Sequence, residues 1–268
     1  MSVILRLFAT LIAFGVWLAP ISAQPTPVPL DFLPALKGDY FVLDSVAARH
    51  RYHIYVRLPE GYETDSGRRY PVVYLLDGDS LFPILAANHL FLTYDDQVPE
   101  AIVVGIAYGS FAPPVNRRGP DFGEGAAAFQ NFLKSELLPQ VENRFRVDRA
   151  RRILVGQSRS GGFVLYSAYT DPDLFWARVA SNPSFPDHRQ LLFGTPNKPT
   201  RNDLHLAIVS GTQDRPSIRA GVLEWLKTVR PRPKPWAFKL IEMEGGTHAA
   251  DISNGYRQSL RWLFPAEP

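Results

Sequence analysis

The stretch RILVGQSRSGGF, residues Arg152 to Phe163, combines a buried strand, a tight turn and the start of a helix. The run Arg152 to Val155 predicts a strand that ends at Gly156. A pair of glycines shortly afterwards allows a helix to begin within a few residues. Between them the sequence reads G-x-S-x-S, one residue away from the G-x-S-x-G turn that exposes a nucleophilic serine above a sheet. The spacing predicts Ser158 as a nucleophile.

Ser160 departs from that motif, because the standard turn has glycine at this position. Strand and helix backbones approach closely there, and serine is small enough to fit with some strain. In a second register Ser160 is the nucleophile and Gly162 takes the motif's last position, which moves the turn two residues beyond the strand. A Gly/Ser-rich turn without chemistry is a third interpretation. We favour Ser158 because it follows the strand end directly.

Strand and helix patterns alternate along the rest of the chain. The apolar runs Pro71 to Leu76 and Ala101 to Ala107 predict strands buried on both faces. Tyr40 to Val46 and Tyr52 to Leu58 predict an antiparallel pair. Tyr108 to Gly125 is rich in Gly, Pro and Arg and is interpreted as a long loop. The pattern predicts an α/β fold with a mostly parallel central sheet, an antiparallel N-terminal edge and helices on both faces.

A nucleophilic serine needs a base, and the base needs an orienting group. His248 follows the last predicted strand in the segment EGGTH and precedes the last helix, which makes it the candidate base. Asp214 follows the predicted strand Leu204 to Ser210 and is the candidate acid. A helix N-cap is the alternative role for Asp214. Glu242 and Glu244 are the other candidate acids, and a Ser–His dyad without an acid stays open.

An oxyanion hole requires two backbone N–H groups. The N–H of Arg159, directly after the nucleophile, is the first candidate. The segment Gly78–Asp79, in the loop after the strand Pro71 to Leu76, is the second, because glycine lets the backbone approach closely. Asp77 and Asp79 also raise the question of a metal, but no matching histidine or carboxylate cluster is nearby in sequence. We therefore predict neither a metal nor a cofactor.

The composition bounds the class of protein. The chain has 268 residues, 46% of them apolar, and a formal charge of +3, which fits a globular protein. No Lys/Arg run is long enough to predict a nucleic-acid partner. Arg117 and Arg118 are interpreted as part of a solvated face, with attraction of an anionic substrate as the alternative. The sequence has no cysteine, which excludes disulfides and a catalytic thiol. The oligomeric state is not readable.

The N-terminus has the layout of a secretory signal peptide. A short basic segment precedes the apolar run Leu7 to Leu18, and small residues end it near Ala23. We predict a signal peptide over residues 1–23, a Pro-rich leader over 24–36 and a single domain over 37–268. The predicted location is periplasmic or secreted, without a stable membrane span once the signal is removed. An uncleaved N-terminal anchor is the alternative.

Several segments resemble the esterase family of α/β-hydrolases that includes esterase D-like enzymes, enterochelin esterases and periplasmic siderophore esterases. The resemblance covers Tyr40 to Phe264 and implies the α/β-hydrolase fold. Its Arg-rich loop matches NRRGPDF at Asn116 to Phe122. The other matching segments are VVYLLDGD (Val72 to Asp79), ILVGQS (Ile153 to Ser158), GGFVLYSAYTDPDLF (Gly161 to Phe175), SNPS (Ser181 to Ser184) and GGTH (Gly245 to His248).

The expected function is therefore hydrolysis of a small carboxylic ester through an acyl-enzyme. The side chain of Arg159 is a candidate contact for an anionic substrate, with a solvent-facing position as the alternative. Phe122 is a candidate for lining the pocket of an aromatic or acyl group, as are Phe111 and Trp176; packing in the core is the alternative. Siderophore lactones, acetyl-xylan or feruloyl esters and short-chain esters all stay open. The alternative functions are an inactive, ligand-binding relative and a cell-envelope acyltransferase.

Overall fold

The computed structural model describes residues 33–265. The predicted signal peptide and most of the predicted leader lie outside the described residues, so the division of the chain into 1–23, 24–36 and 37–268 stays a prediction. The sheet consists of eight strands: β1 (Gly38–Ser45), β2 (His50–Arg57), β3 (Tyr70–Leu75), β4 (Ile102–Ala107), β5 (Val147–Gln157), β6 (Ala177–Ser181), β7 (His205–Gly211) and β8 (Ala237–Met243).

The strand order is β1-β2-β4-β3-β5-β6-β7-β8. Strand β2 pairs antiparallel with both β1 and β4, and every other neighbouring pair is parallel. The predicted mostly parallel sheet with an antiparallel N-terminal edge is confirmed. Because the strands from β3 to β8 run in one direction, the loops that follow them all leave at the same edge of the sheet.

Helices cover both faces of the sheet. They are α1 (Gly78–Asp95), α2 (Arg118–Phe122), α3 (Ala126–Phe132), α4 (Leu138–Arg144), α5 (Arg159–Thr170), α6 (Arg189–Leu192), α7 (Pro216–Val229) and α8 (Ile252–Leu263). A π-helical turn at Leu133–Leu137 joins α3 to α4. Within the described residues, no helix is both long and apolar enough to cross a membrane.

Alternation along the central strands sorts the core into two layers. Val72 and Tyr74 of β3 join the cluster that contains α3 and α5, whereas Val73 and Leu75 join the cluster that contains α1 and α8. Successive strand side chains point to opposite faces, so a continuous apolar run supplies both layers. This is why PVVYLL is apolar throughout although it is a strand.

Tyr108 to Gly125 was predicted to be a loop throughout. This is wrong for residues Arg118–Phe122, which form the short helix α2. Five residues are too few to show a helical periodicity, and Gly and Pro within them mask the pattern. Phe122, at the end of α2, is 1% exposed and packs against Phe129 and Phe163. The interpretation of Phe122 as a substrate contact is therefore wrong, because its ring belongs to the core.

Candidate active site

The turn between β5 and α5 holds Ser158 in a strained backbone conformation. Its φ is 62° and its ψ is −118°, a region that a residue with a Cβ rarely occupies. The Ser158 N–H donates to the carbonyl of Ser181 at 2.9 Å, and its carbonyl accepts from the N–H of Ser184 at 2.9 Å. A Cβ on Gly156 would lie 2.6 Å from the carbonyl oxygen of Ser160. This crowding explains why the position two residues before the turn is glycine.

Ser160 is fully buried, and its hydroxyl both donates and accepts a hydrogen bond. The hydroxyl donates towards the carboxylate of Asp77 at 2.7 Å and accepts from the N–H of Gln157 at 2.8 Å. The departure from the glycine motif thus adds a contact between the turn after β5 and the turn after β3. Of the two serines, Ser158 has its hydroxyl next to an imidazole, and Ser160 does not.

His248 and Asp214 complete a hydrogen-bonded chain with Ser158. The imidazole Nε2 lies 2.9 Å from the Ser158 Oγ, and Nδ1 lies 2.7 Å from the Asp214 Oδ1. The Asp214 side chain is 0% exposed and that of His248 is 14% exposed, so water is largely kept from their contact. Of the other two candidate acids, Glu242 forms an ion pair with Arg219 and Glu244 is exposed, and the His248 Nδ1 contacts neither. This arrangement can move a proton from the serine hydroxyl to a histidine that a buried carboxylate orients.

The candidate oxyanion groups all lie at helix starts. Arg159 is the first residue of α5, and Gly78 and Asp79 are the first two of α1. The first N–H groups of a helix have no carbonyl acceptor within that helix. A Cβ on Gly78 would lie 2.7 Å from the backbone of Ile106, so only glycine allows α1 to start this close to β4. The N–H groups can therefore stabilise a negative oxygen held between the two helix starts.

Asp77 immediately precedes α1 and has the left-handed φ of 53°. Its two carboxylate oxygens accept from Nε and Nη2 of Arg118 at 2.7 and 3.1 Å, a bidentate pair. The Arg118 Nη2 also donates to the carbonyl of Gln157 at 3.0 Å. One guanidinium thus connects the turns that precede α1 and α5. The interpretation of Arg118 as part of a solvated face is wrong, and sequence reasoning missed this role because the partners are about 40 residues apart.

Asp121 anchors α2, and with it Arg118, to the sheet. Its carboxylate accepts from the hydroxyls of Tyr52 at 2.6 Å and Tyr108 at 3.2 Å. Asp121 is 3% exposed, and this burial raises the pKa of its carboxyl group above the ordinary value despite those hydrogen bonds. No local pattern in the sequence indicates that this acid is buried, so sequence reasoning missed the anchor.

The side chain of Arg159 points away from the Asp77 network. Its guanidinium binds the carboxylate of Asp187 through two contacts of 2.7 and 2.8 Å and stays 39% exposed. The hydrogen bond from Arg159 lowers the pKa of Asp187 below its ordinary value. The guanidinium keeps enough exposure to contact a substrate as well, so its predicted substrate role stays a prediction.

A cleft of about 210 Å³ opens next to the turn that carries Ser158. Phe111 lines this cleft and is 76% exposed. Trp176, by contrast, directly precedes β6 at the opposite edge of the sheet and is 4% exposed, so it lies in the core. The lining residues of the cleft are Asp77, Asp79, Ser80, Tyr108, Phe111, Asn116, Arg118 and Gln157.

The chain is similar in sequence to known esterases. The profile of the family described as "Putative esterase" matches residues 45–248. The ferri-bacillibactin esterase BesA of Bacillus subtilis is 30% identical over 160 residues, which span 50% of this chain and 53% of the relative, about half its length. The apo-salmochelin esterase of Escherichia coli is 27% identical over 243 residues, or 78% of this chain and 75% of the relative.

Solved structures support the fold. An IroE-like serine hydrolase from Shewanella oneidensis superposes with a TM-score of 0.71 at 24% identity, covering 84% of this chain and 80% of that one. The predicted α/β-hydrolase fold is confirmed. The family profile reaches from the end of β1 to the candidate base, and so includes every element that carries the site. The chain belongs to this esterase family of α/β-hydrolases.

Proposed function

We propose that the protein hydrolyses carboxylic esters through an acyl-enzyme, with Ser158 as nucleophile, His248 as base and Asp214 as its orienting acid. The observation that carries the proposal is the continuous chain of contacts from Ser158 Oγ to His248 Nε2 and from Nδ1 to Asp214, at 2.9 and 2.7 Å. A serine hydroxyl is a weak nucleophile unless an adjacent base takes its proton. The buried Asp214 stabilises the imidazolium that forms.

The proposed reaction has two halves. Ser158 Oγ attacks the ester carbonyl carbon as its proton passes to His248 Nε2, and the carbonyl oxygen becomes an oxyanion. The N–H of Arg159 and those of the Gly78–Asp79 segment stabilise that charge. The intermediate expels the alcohol, which takes the proton from Nε2, and leaves an ester on Ser158. Water then attacks the ester on Ser158 while His248 Nε2 takes its proton. The bond to Ser158 Oγ breaks, Oγ takes the proton back, and the acid is released. No cofactor takes part.

The proposed substrate class is a small ester with an acidic or aromatic acyl part, such as a siderophore lactone. The names of two relatives, a ferri-bacillibactin esterase and an apo-salmochelin esterase, support this class. Arg118 lines the cleft, and its Nη1 is not used in the pair with Asp77. The exposed ring of Phe111 at the rim offers a face for an aromatic group.

Two alternative functions use the same groups. An inactive binding protein was suggested by Ser160, but the buried Ser160 hydroxyl has its own hydrogen-bond partners and leaves the Ser158–His248 contact in place. A cell-envelope acyltransferase would pass the acyl group to a carbohydrate or lipid alcohol instead of water. Product analysis with and without an alcohol acceptor separates transfer from hydrolysis, and we expect the free acid to dominate in both.

The proposed location is periplasmic or secreted, on the basis of the apolar run Leu7 to Leu18 and the small residues up to Ala23. N-terminal sequencing of protein recovered from the periplasm or medium should begin at or near Gln24. Recovery of the intact N-terminus in the membrane fraction would support the uncleaved anchor instead.

The test of the proposed activity is labelling with a fluorophosphonate probe, followed by tryptic mass spectrometry. Trypsin cleaves after Arg159, so Ser158 and Ser160 fall on different peptides. We expect the label on the peptide that ends at Arg159, and no label after Ser158→Ala. A label on the peptide that starts at Ser160 would contradict the assignment of the nucleophile. An unlabelled wild-type protein that also lacks ester turnover would favour the binding protein.

A further inference from the structure

Asn182 lies in the turn after β6, away from the three residues assigned to the chemistry. Its φ is 42°, in the left-handed region that asparagine tolerates better than most residues. It is only 3% exposed. A buried side-chain amide costs free energy unless its donors and acceptor are paired, so its partners indicate what it does.

The amide of Asn182 connects the loop that carries the acid to the loop that carries the base. Its Oδ1 accepts from the N–H of Gly211 at 2.8 Å, three residues before Asp214. Its Nδ2 donates to the backbone carbonyls of Thr247 at 3.2 Å and His248 at 2.9 Å. Both amide protons and one acceptor site are therefore used between these two loops.

The carbonyl of His248 accepts a hydrogen bond from a second side-chain amide. The Nε2 of Gln157, directly before the nucleophile, also donates to this oxygen. The segment from Glu244 to Asp251 is a turn without strand or helix pairing, so its position depends on such contacts. Its other anchors include the hydrogen bonds from the Gln213 N–H to the Gly246 carbonyl and from the Gly245 N–H to the Thr212 hydroxyl. Within the segment, the Thr247 N–H donates to the carboxylate of Asp251.

We infer that Asn182 is a positioning residue: its amide sets the distance between Asp214 and the imidazole of His248, and it does so without adding a charge. The inference rests on the proposed role of His248. A carboxylate at this position would turn an oxygen towards two carbonyl oxygens and place a negative charge near the imidazole. That charge would favour the protonated base. A neutral amide with two donors and one acceptor meets both requirements.

Two substitutions separate the hydrogen bonds from the backbone conformation. Asn182→Gly removes the amide but suits a positive φ, so the turn itself is not strained. We expect kcat to fall about tenfold or more with KM within twofold, because misplacing a catalytic group by a fraction of an ångström slows the chemical step. Asn182→Asp keeps the size and the acceptor but loses the two donors. We expect an equal or larger fall in kcat and an acidic limb of the pH profile that moves to higher pH.

The matched control is Asn197→Asp. Asn197 also donates its Nδ2 to a backbone carbonyl, that of Thr170 at 2.7 Å, but it follows α6, outside the loops that carry Ser158, Asp214 and His248. It receives the same change of charge and should keep wild-type kcat, KM and pH profile. Should the glycine variant not fold, the nearly isosteric aspartate variant carries the test alone.

A second readout does not depend on turnover. The His248 Nδ1 proton in contact with Asp214 should give a downfield proton resonance in wild type that broadens or disappears in both Asn182 variants. Wild-type kinetics, pH profile and resonance in both variants would overturn the role of Asn182. Absence of fluorophosphonate labelling in the wild type would overturn the proposed function instead, and the resonance would still decide whether Asn182 holds the pair together.

Discussion

The two sides of Ser158 are held in place by different kinds of contact. On the side of the base, neutral amides of Asn182 and Gln157 hold the loop that carries His248. On the side of the candidate oxyanion hole, a charged pair between Asp77 and Arg118 holds the start of α1. The difference follows the chemistry of each side. A net charge next to an imidazole shifts its protonation, whereas a carboxylate beside an oxyanion site must be neutralised by a cation.

The largest effect should come from the buried carboxylate of Asp214. Asp214→Asn leaves the shape of the site but removes the charge that stabilises the imidazolium, and this change costs about 10⁴-fold in kcat in a serine protease triad. Steady-state kinetics on a chromogenic ester measures it. Glu242→Gln is the matched control and should retain activity within about twofold. If the Glu242 variant is the inactive one, Asp214 is not the acid.

Loss of Arg118 should reduce activity through the candidate oxyanion hole. Arg118→Met leaves the carboxylate of Asp77 unpaired beside Gly78, and we expect kcat to fall by about 10- to 100-fold, less than a lost oxyanion donor at its most severe. Asp77→Asn in the same chain removes that charge, so the double variant should be more active than Arg118→Met alone. If the double variant loses the sum of the two single effects, Arg118 does not act by neutralising Asp77.

Substitutions of Ser160 test whether its hydrogen bond to Asp77, which connects the turns before α1 and α5, affects activity. Ser160→Gly restores the standard motif, and Ser160→Ala keeps the Cβ, but both remove the hydrogen bond to Asp77 at 2.7 Å. A buried hydrogen bond to a charged group contributes about 1.5–3 kcal/mol. We expect kcat to fall roughly 3- to 10-fold in both variants, since part of that free energy is lost as stability. An increase in activity with glycine would mean that Ser160 only strains the turn.

A buried histidine outside both sides of the site should make the stability of the fold depend on pH. His89 of α1 contacts the Tyr256 hydroxyl at 2.9 Å and the Pro99 carbonyl at 3.2 Å, and burial lowers the pKa of His89 from 6.5 to about 4. The unfolded chain therefore binds the proton more readily. The free energy of unfolding should fall by up to about 3 kcal/mol as the pH decreases from 6.5 towards 4.

Denaturant unfolding at several pH values measures this dependence. His89→Gln keeps a donor and an acceptor, so it should flatten the dependence in that window and leave activity near neutral pH unchanged. An equally steep pH dependence in the variant would assign the acid sensitivity to other groups. The experiment also separates activity lost through unfolding from activity lost through protonation of the base.

Much of the fold and the candidate site residues could be predicted from local patterns in the sequence. Each signal can be recognised from residues within a few positions of one another. They are the apolar run PVVYLL, the glycines around Ser158 and the position of His248 after the last strand. The mostly parallel character of the sheet followed from strand–helix alternation, because parallel strands need crossover helices. The short helix α2 was missed because five residues with Gly and Pro have no readable period.

The sequence alone predicted the type of sheet and the strained turn at Ser158, because both depend on local backbone preference and burial pattern. It also supplied Asp214 and His248 as the candidate acid and base, in the chain order expected of this fold. Only the tertiary structure decided that Phe122 belongs to the core, that Arg118 neutralises Asp77, and that Ser160 and Asn182 connect separate loops. The hydrogen bonds from Arg118 and Ser160 to Asp77, and those between Asn182 and the loops that carry Asp214 and His248, join residues 29 to 83 positions apart. Their partners depend on which loops meet at the carboxyl edge of the sheet, and no local pattern in the chain encodes that meeting.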